Sequence, residues 1–331
     1  NSWWVMSYGI FKNDFDKLLK LCHVKKVTLI VDEAQNIKNT GTALWKKCNT
    51  FSLGQRLILM TGTELNDPAD AYGYIKIKTP SVYRSYGQFT NIHVAKRDFF
   101  DKPIEWRELA LMNRNLYLQS VQRTKEDVAA RSGTKQPQAH YVPFPYDLDP
   151  KHLKLYNELA EQQVLELESG GKIDGTSAQA LYLYTQQIIL NWGRFAGDDT
   201  VRPTAFDVID ALIEQSGFGV GTGPTKFIVW TWFKDSTRLV SEYLNTLYPG
   251  RVAVAYSDSN SRKSVDRFMD DPECWWLGAQ PMSAGAGLNP QYICYNSLFL
   301  EFPTRTILFR QSSVLIDRKG QRFNANIWIG M

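Results

Sequence analysis

The feature that most constrains the fold of this chain is a set of continuous apolar runs that end in polar residues. Residues 27–34 read VTLIVDEA and residues 56–63 read RLILMTGT, and apolar and polar residues do not alternate along either run. Runs of this kind are typical of parallel strands that are buried on both faces of a sheet. A helical stretch at 40–50 separates the two runs, which predicts one βαβ unit of an open α/β sheet.

The same alternation of strand and helix begins again in the second half. Three further apolar runs are predicted as strands: KFIVWTWF at 226–233, RVAVAYS at 251–257 and SLFLEFP at 297–303. Helical segments follow the first two of these runs. This order of elements predicts a second α/β lobe.

The stretch between the two lobes differs from both. Residues 150–168 and 178–190 have the periodicity and composition of helices, while the proline-rich piece 137–147 is predicted as an extended connection. The predicted fold class is therefore α/β, with two parallel-sheet lobes and a helical protrusion between them. The predicted parts are 1–147 for the first lobe, 148–215 for the protrusion and 216–331 for the second lobe.

Composition limits the classes of partner. The length of 331 residues suits two domains, and a formal net charge of +4 permits a nucleic-acid partner without requiring one. The sequence has no apolar run of about 18 residues, so we predict no membrane partner. The four cysteines form no CxxC pair, which is typical of reduced thiols in a cytosolic or nuclear protein.

Two polar strand ends carry candidate chemistry. Asp32 and Glu33 close the first run, and Thr61, Gly62 and Thr63 close the second. Adjacent acids at the carboxyl end of a parallel strand suit phosphoryl chemistry, in which one holds Mg²⁺ and the other orients the attacking water. The hydroxyls of the threonines would hydrogen-bond the acids or a phosphate. The alternatives are a solvated strand end for the acids and an ordinary turn for TGT.

Taken together, these strings resemble a known family. VDEAQ at 31–35 and LMTGTELND at 59–67 are similar to motifs II and III of superfamily-two helicases, and TGT followed by a Leu-Asn pair looks most like the Swi/Snf branch. Further segments resemble the rest of that family in its own order: WVMSYGIF (motif Ib), SVQRTKEDV (the end of the first lobe), 226–245 (motif IV), 255–289 (the stretch that follows motif IV) and 299–321 (motifs V to VI). The resemblance implies two RecA-like lobes, the first of them incomplete.

The resemblance also implies a role for each site residue. The catalytic residues are Asp32, Glu33 and Arg318, with Asp32 holding Mg²⁺ through the nucleotide and Arg318 acting as an arginine finger. The residues that bind the nucleotide or couple to it are Gln35, Thr61, Gly62, Thr63, Gly287, Gln311 and Gln321. The residues that contact DNA are Ser7, Tyr8, Ser283, Gly285, Asn289, Arg123 and Lys125. Other roles stay open: a surface arginine for Arg318, a buried aromatic for Tyr8, and solvent contacts for Arg123 and Lys125.

The sequence departs from the family at two points. Leu315 stands where the family has a second arginine, and GxxxxGK[ST], the phosphate loop, occurs nowhere in the chain. The glycine-rich stretch 217–225 lacks that spacing and is interpreted as a linker rather than a phosphate loop. We therefore expect a fragment whose missing N-terminal segment, on the same or a separate chain, completes an ATP site in the full-length parent. An unpaired apolar edge beside the first run is expected to leave the first lobe poorly soluble.

The function implied by the resemblance is the motor part of an ATP-dependent translocase on double-stranded DNA. ATP and Mg²⁺ are its cofactors, and this chain alone is expected to be inactive in hydrolysis. Two alternatives stand: a catalytically dead nucleic-acid-binding scaffold, and the motor part of a strand-separating helicase or a restriction system. The expected location is the cytoplasm of a prokaryotic or virus-infected cell, or the nucleus if the source is eukaryotic.

Overall fold

The structure, a computed structural model, divides into two compact units. These are Asn1–Ser132 and Gly133–Met331. The described residues are 2–62, 65–133, 137–166, 172–191, 193, 202–216, 226–257, 260–284, 288–303 and 306–330.

The first unit is mainly helical. Its helices are α1 (Tyr8–Asn13), α2 (Phe15–Val24), α3 (Ala43–Ser52), α4 (Ala71–Lys78), α5 (Tyr86–His93), α6 (Leu109–Tyr117) and α7 (Lys125–Ser132). Its strands are β1 (Thr28–Val31), β2 (Arg56–Leu59), β3 (Val94–Arg97) and β4 (Pro103–Trp106). Short 3-10 turns occupy Ala34–Ile37 and Pro68–Asp70. The predicted strand-helix-strand order of β1, α3 and β2 is thus present, with shorter strands than the apolar runs.

Strands β1 and β2 pair in parallel, but only one face of the pair is buried. In the register, Ile30 lies beside Ile58 and Val31 beside Leu59. Val31 belongs to the core, whereas Ile30 and Ile58 are exposed. The expectation of strands buried on both faces is therefore wrong for this unit, because the helices of its core cover only one side of the pair.

The remaining strands of the first unit form an antiparallel hairpin. Strands β3 and β4 pair from Val94 with Trp106 to Arg97 with Pro103. The hairpin follows α5 directly, and Trp106 packs against Phe89 in the aromatic core. The sequence did not predict this hairpin, since its charged strands lack a regular apolar alternation.

The second unit is built around a six-stranded sheet. Its strands are β5 (Ala139–Phe144), β6 (Val164–Glu166), β7 (Lys172–Asp174), β8 (Lys226–Trp230), β9 (Val252–Ala255), β10 (Trp276–Ala279), β11 (Cys294–Phe299) and β12 (Ala325–Gly330). Its helices are α8 (Pro150–Gln162), α9 (Ala178–Leu190), α10 (Ala205–Ser216), α11 (Lys234–Leu247), α12 (Ser261–Asp270), α13 (Pro281–Ala284) and α14 (Thr306–Ser313), and a 3-10 turn occupies Pro290–Tyr292. The sheet order is β5-β12-β11-β8-β10-β9, and every pair is parallel.

Both faces of this sheet are covered. Along β8, Ile228 and Trp230 belong to one core, while Phe227 and Val229 belong to another. Successive side chains of a strand point to opposite faces, so the two cores lie on the two sides of the sheet. Helices α12 and α13 supply residues to the first core, and α10 and α11 supply residues to the second. The α/β fold class with parallel strands is thus confirmed.

Several predicted segments differ from the structure. Residues 139–144 are not a free connection, because they form the edge strand β5 and pair with β12. The units consequently divide at 132/133 rather than at 147. The predicted helix 150–168 ends at Gln162, and β6 then forms an antiparallel hairpin with β7. Helix α10, placed in the protrusion by the sequence, packs in the core of the second unit. The glycine-rich stretch 217–225 lies outside the described residues.

The helices were compared with the length and hydropathy of a membrane span. None of the helices within the described ranges is long and apolar enough to cross a bilayer.

Candidate functional site

The acid pair of the first unit lies at the carboxyl end of β1. Asp32 and Glu33 follow Val31 directly, and both are exposed. Glu33 has a φ of 50°, in the left-handed region, which costs a residue other than glycine on the order of 1 kcal/mol. The Asp32 carboxylate accepts a hydrogen bond from the Glu33 amide, with Oδ1 and N 3.0 Å apart. The local backbone is thus fixed in a strained form that turns the two acids out of the strand.

Tyr8 holds this strained backbone. Its hydroxyl donates to the carbonyl oxygen of Asp32 and lies 3.2 Å from that of Glu33. Asn36, which the sequence did not single out, donates from Nδ2 to the Glu33 carbonyl at 3.0 Å. Burial raises the pKa of Tyr8 to about 12, so the phenol keeps its proton at neutral pH. Tyr8 is half-buried against the core of its unit, and its expected DNA contact stays a prediction.

A chain of side-chain hydrogen bonds connects the two strand ends. Gln35 donates from Nε2 to Oε2 of Glu33 at 2.8 Å, and its Oε1 accepts from the Thr61 hydroxyl at 2.7 Å. One amide therefore joins the acid that follows β1 to the hydroxyl that follows β2. The sequence predicted that the threonine hydroxyls bond the acids or a phosphate; in the structure the Thr61 hydroxyl is linked to Glu33 through Gln35. Gly62 is exposed, and a Cβ there would have nothing within 4 Å; Thr63 lies outside the described residues.

The other predicted contacts of the first unit lie away from the acid pair in sequence. Ser7 is the N-cap of α1, and its Oγ accepts from the amide of Ile10 at 3.3 Å. Arg123 is exposed, and its guanidinium donates to the carbonyl oxygen of Gln122 at 2.6 Å. Lys125 is half-buried at the start of α7. Ser7 and Arg123 are open to solvent, so contacts with a phosphate are sterically possible for both.

In the second unit, Arg318 is bound to the loop that follows α13. One guanidinium nitrogen of Arg318 donates to the carbonyl oxygen of Leu288 and to Oδ1 of Asn289, each at 3.2 Å. Asn289 is exposed and Arg318 is half-buried. The predicted finger and a predicted DNA-contact residue thus touch each other. Ser283 is half-buried in α13, and its amide donates to the Gln280 carbonyl; Gly285 and Gly287 lie outside the described residues.

Gln321 stabilises the loop that carries Arg318. Its Nε2 donates to the carbonyl oxygens of Cys294 and Ile316, at 3.0 and 2.8 Å. Its Oε1 accepts from the amides of Arg322 and Phe323. The side chain of Gln321 is buried, and both the nitrogen and the oxygen of its amide form hydrogen bonds. Gln321 therefore fixes the position of this loop. Gln311 is half-buried in α14.

Gly320, in the same loop, is required by the local geometry. It has a φ of 100°, a backbone conformation that favours glycine. A Cβ at this position would lie 2.4 Å from the ring of Tyr292. The ring of Tyr292 therefore packs directly on the backbone next to Arg318.

Leu315 lies in the core of the second unit. Its side chain is 0% exposed and belongs to the core beside Ile316 and Phe299. An arginine at this position would place its charge in an apolar core.

Sequence reasoning missed Glu301. It follows β11 and is only 1% exposed. Oε2 accepts from the amides of Trp232 and Phe233, at 2.7 and 3.0 Å, and Oε1 accepts from the Ser236 hydroxyl at 2.5 Å. Burial raises the pKa of Glu301 to about 7. A single carboxylate inside the apolar string SLFLEFP was the available signal.

The donor set fits magnesium only together with a nucleotide. No group of three or more His, Cys, Asp or Glu side chains that could hold a metal occurs in the described part of the chain. Asp32 and Glu33 are exposed carboxylates on one strand end, and Mg²⁺ accepts one or two protein carboxylates when phosphates and water complete its shell. The acid pair satisfies that requirement.

Comparisons with known proteins identify relatives of this chain. Curated relatives include the chromatin-remodeling ATPase INO80 of Candida albicans, 26% identical over 219 residues, and that of Pyricularia oryzae, 23% identical over 349 residues. These alignments cover 61% and 98% of this chain but only 15% and 17% of the relatives, so the chain spans less than a fifth of their length.

Two solved structures show a weaker likeness. The Sulfolobus solfataricus SWI2/SNF2 ATPase core in complex with dsDNA has a TM-score of 0.40 at 18% identity, covering 96% of this chain and 66% of that one. The C-terminal part of the Fun30 ATPase domain has a TM-score of 0.42 at 11% identity, covering 60% and 86%. The sequence profile of the SNF2-related domain matches residues 4–188, which is more than half of the chain. The chain therefore belongs to the SNF2-related domain family.

Proposed function

We propose that this chain is the motor part of an ATP-dependent translocase on double-stranded DNA, and that the chain by itself does not hydrolyse ATP. Membership of the SNF2-related family and the ATPase relatives support ATP as the nucleotide. The motif-by-motif resemblance to Swi/Snf motors supports double-stranded DNA as the track.

The observation that carries this proposal is the hydrogen-bond chain from Glu33 through Gln35 to Thr61. Exposed acids on a strained strand end add little to the stability of a fold, because their carboxylates are solvated. The left-handed backbone of Glu33 has a free-energy cost that Tyr8 and Asn36 offset. Strain of this kind concentrates at functional sites.

Each residue of the acid site has a distinct proposed role. Asp32 would hold Mg²⁺ through its free carboxylate oxygen, and the bound metal would neutralise charge on the phosphate oxygens. Glu33 would orient the attacking water, while Gln35 fixes the rotamer of its carboxylate. Thr61, which follows β2, would change its hydrogen bond to Gln35 when the acid site binds its ligand. Arg318 would add fixed positive charge, which in this chemistry is worth about 10³–10⁵ in rate.

The proposed lack of hydrolysis rests on the absence of GxxxxGK[ST] from the 331 residues. In motors of this class, loop amides and a lysine at a helix N-terminus bind the triphosphate. Two carboxylates cannot replace them, because they repel the phosphates unless a metal intervenes. We propose that a phosphate-loop segment, on the same or a separate chain, completes the site.

An assay of phosphate release from ATP tests whether the chain alone hydrolyses ATP. The purified chain, with and without duplex DNA, is expected to release phosphate from ATP no faster than its Glu33→Gln variant. Turnover above that control contradicts the proposed inactivity. The chain extended by a phosphate-loop segment is expected to gain DNA-stimulated turnover, which Glu33→Gln and Arg318→Ala each remove.

Two alternatives give different results in the same assay. A catalytically dead scaffold would bind DNA yet stay inactive when the phosphate-loop segment is present. The buried Leu315, which replaces a family arginine, favours that alternative, whereas the intact acid pair and Arg318 oppose it. The motor of a strand-separating helicase or restriction system would hydrolyse ATP and also release one strand of a labelled duplex.

DNA binding through the backbone is the second part of the proposal. Phosphate contacts carry little sequence information and depend strongly on salt. Ser7, Arg123 and Asn289 are exposed, and Ser283 and Lys125 are half-buried. We expect anisotropy titrations with unrelated duplexes to give similar affinities that fall steeply as salt rises. A flat salt response, or strong preference for one duplex, would contradict this mode of binding.

The proposed cellular location depends on whether the protein is eukaryotic. The relatives compared are fungal chromatin-remodeling ATPases, so a cytoplasmic location in a prokaryotic or virus-infected cell gains no support. We propose a nuclear location if the source is eukaryotic.

A further inference from the structure

The loop that carries the acid pair is joined to the residues that follow β2 at several positions. Residues 32–38 are named the acid loop, and residues 60–62 with 65–70 are named the neighbouring segment. Three contacts connect the two: Ala34 with Met60, Gln35 with Thr61, and Lys38 with Asp70. The first joins backbone atoms, the second joins the acid site to a hydroxyl, and the third joins side chains of opposite charge. The acid loop is thus connected to its neighbour along most of its length.

The ion pair between Lys38 and Asp70 is partly shielded from solvent. Nζ of Lys38 lies 2.6 Å from Oδ2 of Asp70. The exposed fractions of these two side chains are 21% and 18%, whereas those of the surface pair Lys17 and Asp14 are 83% and 43%. Charges that are partly removed from water attract each other more strongly, because water screens them less. Lys38 and Asp70 therefore form a firmer connection than a pair on the surface.

Asp70 extends this connection to the backbone of the neighbouring segment. Its Oδ2, the atom that pairs with Lys38, also accepts from the amides of Asn66 and Asp67, at 2.9 and 3.2 Å. Asp67 and Asp70 form a capping box at the start of the 3-10 turn Pro68–Asp70. One carboxylate oxygen thus binds both the lysine of the acid loop and the backbone that leads into α4.

The backbone of Lys38 is also held in place. A Cβ at Gly73, in α4, would lie 1.8 Å from the carbonyl oxygen of Lys38, so the backbones of the acid loop and the helix are in direct contact. Nε1 of Trp45 donates to the carbonyl oxygen of Gly73 at 3.0 Å, and Trp45 and Gly73 are both buried. Lys38 is therefore fixed against α4 through its backbone and against Asp70 through its side chain.

We propose that Lys38 is a positioning residue for the acid site. Its pairing with Asp70 fixes the neighbouring segment, which then presents the Thr61 hydroxyl to Gln35, and Gln35 orients the Glu33 carboxylate. The inference rests on the proposed function, and Lys38 lies outside the residues to which the family resemblance gives a role. Misplacing a reacting group by about 1 Å can cost on the order of 10² in rate, so a distant ion pair can matter for the chemistry.

The chain without any added segment tests the positioning itself. Lys38→Met removes the ammonium at similar length, and Lys38→Arg keeps a cation that can pair with Asp70. In NMR spectra, the side-chain amide resonances of Gln35 are expected to shift in Lys38→Met and to return to their wild-type positions in Lys38→Arg. Lys17→Met breaks the surface pair with Asp14 and is the matched control, which should leave the Gln35 resonances unchanged.

A double variant separates positioning from the effect of an unpaired charge. Removing one partner of a shielded ion pair leaves the other charge uncompensated, which destabilises a fold by itself. Lys38→Met/Asp70→Asn leaves no such charge, and the new side-chain amide oxygen can still accept from the amides of Asn66 and Asp67. The Gln35 resonances are expected to shift in this variant as well. A shift in Lys38→Met that is absent from the double variant would overturn the positioning role.

Turnover distinguishes the failure of this inference from the failure of the proposed function. In the chain extended by a phosphate-loop segment, Lys38→Met is expected to lower kcat about tenfold and to change KM for ATP less than about twofold, because orientation rather than binding is lost. Lys38→Arg should restore kcat. If the extended chain has no turnover that depends on Glu33, the proposed function fails, and the Gln35 resonances still decide whether Lys38 positions Gln35. If turnover depends on Glu33 but kcat in Lys38→Met equals that of wild type, the proposed function stands and the positioning role is overturned.

Discussion

Glu301 makes the stability of the second unit depend on pH in a way that the structure allows to be worked out. Burial raises the pKa of its carboxyl from the ordinary 4.5 to about 7, and the hydrogen bonds from Ser236, Phe233 and Trp232 lower it only partly. The folded protein therefore holds this proton more tightly than the unfolded chain. The contribution to the free energy of unfolding is complete below pH 4.5 and is lost as the pH rises through 7.

The size of the effect follows from the two pKa values. A shift of one unit corresponds to about 1.4 kcal/mol, so the full change is about 3 kcal/mol. Most of this change, about 2–3 kcal/mol, takes place between pH 5 and pH 8. Glu301→Gln cannot ionise, yet its amide oxygen can accept from the backbone amides and its nitrogen can donate to Ser236.

Urea unfolding of the full chain at a series of pH values measures this contribution. From pH 5 to pH 8 the wild type is expected to lose about 2–3 kcal/mol more stability than Glu301→Gln. Glu242→Gln, an exposed glutamate of α11 beside Arg238, is the matched control and should follow the wild type. Hydrogen exchange at the amides of Trp232 and Phe233 should speed up with pH in the wild type beyond the intrinsic rate. If the Glu301→Gln curve runs parallel to the wild type, the carboxyl is ionised in the folded state and the reasoning is wrong.

Three other substitutions test single contacts. Leu315→Arg is expected to destabilise the protein by about 3 kcal/mol or more, because it places a charge in a core; a thermal midpoint equal to that of wild type contradicts the placement of this side chain. Tyr8→Phe removes one donor to the acid carbonyls and should cost about 1 kcal/mol, with faster hydrogen exchange at 33–37 but not at 43–52. Gly320→Ala should destabilise through its positive φ and its contact with Tyr292, and Tyr292→Ala should recover part of the loss; no recovery would show that backbone strain alone is responsible.

The sequence alone was sufficient where the signal is local. Helix α9 begins and ends where the apolar periodicity placed it, at 178 and 190. The strands β8 and β9 form within the apolar runs predicted at 226–233 and 251–257. Such patterns predict structure because the period of a helix or strand is set by its own backbone and does not depend on how the core packs. The motif spacing likewise identified the family, which the profile match confirms.

Tertiary structure decided the features that depend on distant partners. Residues 139–144 became a strand because β12, some 185 positions later, offers an unpaired edge. Leu315 lies after α14 and packs in the core. Glu301 is buried with hydrogen-bond donors from Trp232 and Phe233, just before α11, and from Ser236 in its first turn. Tyr8 meets the acid pair only after β1 and α1 have packed together. A sequence pattern records the preference of each residue, whereas pairing, register and burial depend on which surfaces remain available once the rest of the chain has packed.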